Sequence, residues 1–138
     1  MTFVEWSDDF KVGNRDIDIE HWGLFALVND LADKVHLGAG DSSIAVTIDA
    51  LVGYVDAHFE REEELMKECG YPDFDDHLEA HHRLRGSVEY FHNYYRDTPE
   101  KFPYEDFLEF LKEWLTRHIM KVDMAYVPYL KNTATDPS

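Results

Sequence analysis

Apolar residues recur in steps of three and four along most of this 138-residue chain, the spacing that lays them on one face of a helix. A first stripe runs Ile17, Leu24, Phe25, Val28, Leu31, Val35. A second runs Ile44, Ile48, Leu51, Val52, Val55, Phe59, Leu65, Met66. A third runs Phe74, Leu84, Val88, Phe91, Tyr95, and a fourth Phe107, Phe110, Leu111, Trp114, Leu115. Loop signals separate them: Gly38 to Ser43, Gly70-Tyr71-Pro72, and Asp97 to Pro103 with its two prolines. Four amphipathic segments of roughly 17–25 residues joined by three short loops predict an all-α, up-down-up-down four-helix bundle. Ser42 or Ser43 is expected to cap the second helix and Gly70 to end it. Asp73 is expected to cap the third, with Asp75 and Asp76 near its positive end. Residues 1–15 carry Trp6, Phe10 and Val12 without periodicity and read as an irregular N-terminal arm that packs on the domain. Tyr126 to Leu130 form a short apolar C-terminal segment, and 132–138 read as a loose tail. Residues 1–138 contain no internal repeat and are expected to form a single domain.

Polar residues interrupt the apolar stripes at particular steps. His21 takes a core-facing step of the first, and His58 and Glu62 fall inside the second. His77 and His81 fill the missing steps of the third, and His118 continues the fourth. His58 with Glu62, and His77 with His81, are four apart and stack one turn apart on one helix face. Each pair is a two-point clamp for a metal ion, and the tight turn at Gly70 sets the two helices side by side. A carboxylate buried without a partner costs several kcal/mol or takes up a proton. A metal ion removes that cost for both pairs together. A lone core histidine such as His21 carries no such argument by itself, because an ordinary hydrogen bond satisfies it. Five residues separate His118 from Asp123. On a regular α-helix that step is a rotation of about 140° from the start. Either Asp123 is ordinary surface, or the helix breaks between the two and turns the carboxylate inward.

Composition narrows the partners. Hydrophobic residues make up 44% and aromatics 14%, enough for a real core. The formal net charge of −16 argues against nucleic acid and anionic membranes, and reads as a soluble, mutually repelling surface. The lone cysteine, Cys69, excludes an internal disulfide and sits passively near a helix end. The first residues lack a basic segment followed by an apolar run, and no stretch is apolar enough to span a bilayer. A cytoplasmic protein without membrane insertion is expected.

In order and spacing, His21, His58-Phe59-x-x-Glu62-Glu63, His77-x-x-x-His81 and Trp114-Leu115-x-x-His118-Ile119-x-x-x-Asp123 resemble the hemerythrin family. The match is to its bacterial single-domain members and covers nearly the whole chain. Myohemerythrin, a member of that family, is an up-down-up-down bundle, so the resemblance implies the same fold. It also implies a non-haem di-iron centre that binds O2 reversibly. In that scheme His77, His81 and His118 hold one iron, and His21 and His58 hold the other. Glu62 and Asp123 bridge the two iron ions together with a solvent-derived oxide or hydroxide, and Asp123 lies past a local break in the fourth helix. The iron with only two histidines keeps a position open for O2. Leu24, Phe59, Trp114, Leu115 and Ile119 wall the O2 pocket. Five imidazoles and two carboxylates without a thiolate suit iron better than structural zinc or calcium. His36, His82 and His92 match no ligand position and read as bystanders. Glu20 stands where glutamine precedes the first ligand in other members, which alters the charge beside the site. The expected function is non-enzymatic O2 transport, storage or delivery by a monomer, with an O2-consuming enzyme as recipient. The alternatives are an O2, NO or redox sensor acting through a partner protein, and a di-iron peroxidase or NO-reducing enzyme.

Overall fold

A computed structural model of the chain describes residues 3–38 and 40–132. Met1, Thr2, Ala39 and 133–138 lie outside the described residues, and with them all but Asn132 of the expected tail. The four expected helices are α1 Arg15–His36, α2 Asp41–Cys69, α3 Phe74–Asp97 and α4 Tyr104–Glu113. No strand occurs among the described residues. The helices form a four-helix bundle in which α2 packs on α1 and α3, and α1 also packs on α4. No described helix is long and apolar enough to cross a membrane.

The helix ends show which local signals decide. Asn14 caps α1, its side chain accepting from the Ile17 backbone N–H at 3.1 Å. At α2 the expected serine cap is corrected: the helix starts at Asp41 after an extended Gly40, whose carbonyl accepts from Ser43 and Ile44. Ser42 and Ser43 are already inside the first turn. Asp73 does hold the cap position of α3 but makes no side-chain cap bond, because its φ −97°, ψ 28° is not the extended geometry such a bond requires. Gly70 ends α2 in the left-handed region at φ 68°. Its N–H bonds to the Lys67 carbonyl at 3.2 Å and the Tyr71 N–H to the Met66 carbonyl at 3.1 Å. That pair of bonds satisfies the last carbonyls of α2 and reverses the chain within four residues into α3.

The arm is less irregular than expected, since Asp8–Phe10 form a single 3-10 turn. It is tied down at two points. Asn29 exchanges two hydrogen bonds with the Val4 backbone, at 2.8 and 2.9 Å, and Asp18 accepts from the Val12 and Gly13 N–H groups. Trp6 and Phe10 lie on Phe25 at ring separations of 5.3 and 5.1 Å.

The fourth helix departs from expectation. It neither breaks nor stays regular: from Trp114 to Asp123 it widens into a π-helix, then tightens into a 3-10 helix over Met124–Asn132. In a π-helix each N–H bonds five residues back, so the fifth residue stacks over the first. The five-residue step from His118 to Asp123 thereby becomes a step along one face.

The apolar interior falls into two clusters. The larger includes Leu24, Phe59, Leu115 and Ile119, and the smaller includes Ile17, Leu65, Met66, Cys69, Tyr71, Tyr126 and Leu130. Each helix crosses from one to the other, and at each crossing carries its core-facing polar residues: His21, then His58 and Glu62, then His77 and His81, then His118 and Asp123. The bundle thus holds a polar layer between two dry ones.

Candidate metal centre

All seven sequence-expected ligand residues meet in that layer, and all are buried; His118, at 8% exposure, is the most accessible. The histidines turn Nε2 inward. The carboxylates lie between two groups of rings. One oxygen of Glu62, Oε2, faces His21 at 3.5 Å and His58 at 3.9 Å. Its other oxygen faces His81 at 2.9 Å and His77 at 3.7 Å. Asp123 repeats the division, with Oδ2 3.2 Å from His21 and Oδ1 3.0 and 2.9 Å from His77 and His118. Donor atoms of Glu62, His77, His81, His118 and Asp123 all lie within 4.8 Å of one another, and so do those of His21, His58 and Glu62.

This donor set fits a pair of metal ions. Donors held at right angles on metal bonds of ~2.1 Å lie ~3.0 Å apart. The His77 and His81 Nε2 atoms are 3.1 Å apart, and the short carboxylate contacts fall in the same range. Protein groups alone do not satisfy the cluster. His21 Nε2, His118 Nε2, Glu62 Oε1 and both Asp123 oxygens are buried without a hydrogen-bond partner. Buried polar atoms left in that condition are costly, and a cation answers all of them at once.

The electrostatics reflect the crowding. Burial by itself lowers the His21 pKa, but the Asp123 and Glu62 carboxylates outweigh it and raise it to about 10. The same balance raises His77 to about 9. Burial, and for Asp123 also the Glu62 charge, pushes the carboxylates up. The surrounding histidines prevail and hold both below the ordinary carboxylate range. A metal ion that takes these nitrogens must displace their protons.

Residues behind the ligands complete the site, and most were not singled out from the sequence. Glu20 accepts from His58 Nδ1 at 2.9 Å and is held in turn by Arg61 at 2.6 Å. Glu63 accepts from His81 Nδ1 at 2.8 Å and is held by Arg85 at 3.1 Å. One imidazole in each group therefore has a carboxylate behind it, which fixes the ring and raises its basicity. Tyr126, fully buried, donates from its hydroxyl to Glu62 Oε2 at 2.8 Å. Its own pKa is pushed well above 10 by burial first, then by the Glu62 and Asp123 charges, so it stays a donor. The rule that a ligand histidine needs an acceptor on its second nitrogen points to Glu63, beside Glu62 in the sequence. No sequence signal points to Tyr126, which reads there as ordinary packing. Leu24, Phe59, Trp114, Leu115 and Ile119 are all buried in the larger apolar cluster, with Phe59 stacked on His81 at 3.9 Å. His36 and His92 stay away, paired on the outside with Glu105 and Asp49, and His82 is exposed.

A bundle that buries five histidines and two carboxylates from all four of its helical segments has the donor set of a metal-binding bundle. Comparison with known proteins gives the family. Residues 12–130 match the hemerythrin HHE cation binding domain. A bacteriohemerythrin of Methylococcus capsulatus is 36% identical over 137 residues, covering 94% of this chain and 98% of that one. A myohemerythrin of Theromyzon tessulatum is 32% identical over 123 residues, covering 88% of this chain and 89% of that one. The fold superposes on a crystal structure of wild-type hemerythrin with a TM-score of 0.86 at 32% identity, over 95% of this chain and 99% of that one. This chain belongs to the hemerythrin family.

Proposed function

We propose that this protein binds O2 reversibly at a pair of iron ions and transports, stores or delivers it without turning over a substrate. The observation that carries the reading is the division of the two carboxylates. Glu62 and Asp123 each offer one oxygen to the His21 and His58 side and the other to the His77, His81 and His118 side. His77, His81 and His118 would hold one ion and His21 and His58 the other, with both carboxylates and a solvent-derived oxide or hydroxide spanning the pair. Iron held there would supply the electrons for reversible O2 binding.

The remaining work belongs to the protein. The His21 and His58 side has one donor fewer, which leaves it the room for an exogenous ligand. Leu24, Phe59, Trp114, Leu115 and Ile119, all in the larger apolar cluster, would form an apolar wall that excludes water and offers no carboxylic acid. Exclusion of water and protons slows loss of O2 as superoxide, which a carrier requires. Glu20 and Glu63 hold the His58 and His81 rings in place from behind, and Tyr126 fixes Glu62.

The test is anaerobic loading with ferrous iron, metal analysis, and visible absorption followed through addition and removal of O2. Two iron equivalents per chain and a spectrum that returns when O2 is removed are expected. A single equivalent, preference for zinc, or irreversible oxidation on the first exposure overturns the reading.

A further inference from the structure

An apolar cleft of about 440 Å³ opens between α3 and the π-helical segment and reaches the proposed centre from outside. Its volume is within the ~300–1,000 Å³ of ordinary small-molecule sites. Ala80, Leu84, Phe110, Trp114 and Val122 line it, and so does the ring of His118, the most exposed of the seven ligand residues. Trp114 is 5% exposed, and its indole Nε1 is buried without a hydrogen-bond partner. Arg83 and Arg117, both exposed, also line the cleft, with Glu113 as its one carboxylate. Arg83 is shared with Glu79 at 3.5 Å, while Arg117 has no ion pair among the described residues. In a chain with 29 acidic and 13 basic side chains, two arginines beside one apolar cleft form a local exception to the charge.

These features define a ligand. It is mostly planar ring, to fill an apolar and aromatic wall. It bears negative charge at one end, to meet the arginines. It reaches His118, so it has reason to exchange electrons with what that ring holds. We propose that the cleft binds flavin mononucleotide, whose reduced form returns an oxidised centre to the ferrous state. This rests on the di-iron reading above. Reduced flavin gives up two electrons and two protons and departs as oxidised flavin. Two ferric ions held at the centre would each take one electron, and the protons would pass to water at the cleft mouth. The His118 imidazole would be the contact through which the electrons enter, beside Trp114, which lines the cleft and also belongs to the apolar wall proposed for O2.

Two measurements test it. Flavin mononucleotide is titrated into the iron-loaded and the zinc-loaded protein and followed by flavin fluorescence. Photoreduced flavin is then mixed anaerobically with the diferric protein in a stopped-flow instrument. Saturable binding in both metal forms is expected, as is a reduction rate that saturates with flavin concentration. Arg117→Glu and the double variant Arg83→Glu/Arg117→Glu should each weaken flavin mononucleotide by about tenfold or more, the effect of losing a phosphate contact of ~1.4 kcal/mol. Riboflavin, which lacks the phosphate, should bind more weakly and ignore both variants. Ala80→Phe should block both flavins while folding and iron content stay normal. Binding unaffected by charge reversal and by Ala80→Phe overturns the proposal. So does a reduction rate that rises linearly with flavin while O2 binding is intact, which leaves the di-iron reading standing. Saturable, arginine-dependent binding in a protein that takes up no iron overturns the di-iron reading and the electron-donor role with it, and leaves a flavin site.

Discussion

Single atoms decide what the buried layer can hold. Glu62 Oε2 is approached by His21 and His58 and also accepts from the Tyr126 hydroxyl. Tyr126→Phe deletes that donor without changing the shape of the ring, and leaves a charged acceptor short of a partner. The iron-loaded variant should lose about 1.5–3 kcal/mol, measured as a lower denaturant midpoint at unchanged slope. Leu115→Ala and Leu24→Ala open the apolar wall. Each cavity should cost ~2–5 kcal/mol of stability. Water admitted to the proposed O2 site should speed autoxidation by more than that loss implies, as read from the decay of the oxygenated spectrum. Unchanged autoxidation in both variants means that other residues wall the site.

Protonation belongs to the same scale. In protein stripped of metal by a chelator, His21 and His77 have pKa values raised from 6.5 to about 10 and about 9. Groups raised in the folded state stabilise it fully below 6.5, and that contribution is lost as pH climbs through 9 to 10. Glu62 and Asp123 are shifted the other way, from ordinary values of 4.5 and 3.8. Their contribution is present above those values and is lost as pH falls below them. Chelated protein should therefore be most stable between about pH 5 and 6.5, measured as the melting temperature across a pH series. A melting temperature that rises steadily from pH 6.5 to 10 would contradict the charge states assigned to the cluster.

At the scale of elements, the reversal at Gly70 sets two clamps against each other. α2 carries His58 and Glu62, α3 carries His77 and His81, and the left-handed glycine between them fixes their relative height. Gly70→Ala places a Cβ on a backbone at φ 68° and should cost on the order of 1 kcal/mol or more, measured by denaturant unfolding. Because no side chain crowds that position, the iron stoichiometry should not change. A second close approach lies at Gly23 of α1, where an added Cβ would fall on the Tyr54 hydroxyl of α2. That contact brings His21 against His58, whose rings are 4.6 Å apart. The π-helix is the other element-scale device. It lets one chain segment carry an apolar stripe through Leu111 and Leu115 and still bring His118 and Asp123 to one face.

At the scale of the molecule, a polar layer divides the apolar interior. Two hydrophobic clusters lie on either side of it, and every helical segment passes through it with a side chain that could hold a cation. A metal ion held in that layer would couple its binding to folding. Removal of iron should lower the melting temperature by roughly 10 °C or more, since a tight ligand contributes several kcal/mol and each shifts a chain of this size by ~3 °C. Scanning calorimetry of the chelated and iron-loaded forms measures the difference. Equal melting temperatures would mean that the buried histidines and carboxylates satisfy one another.

By itself the sequence determined the four helices, their order and their core faces. Hydrophobic periodicity is local and survives without knowledge of any neighbour, as the buried stripes of α1 and α2 attest. It also determined the ligand candidates, because His58 with Glu62 and His77 with His81 are related by one helical turn, a distance set by the backbone alone. The tertiary structure decided the rest. A five-residue step is ambiguous until packing selects a π-helix, so His118 and Asp123 could share a face or not on sequence grounds. The cap of α2 moved from serine to Gly40 because the extended glycine had already turned the chain. Asp73 kept the cap position of α3 without the cap bond, because only the backbone dihedrals show whether a side chain can reach. Tyr126 lies 64 residues from Glu62, and Glu20 lies 38 from His58. Contacts at such separations depend on how the helices rotate against one another, which no single stripe records.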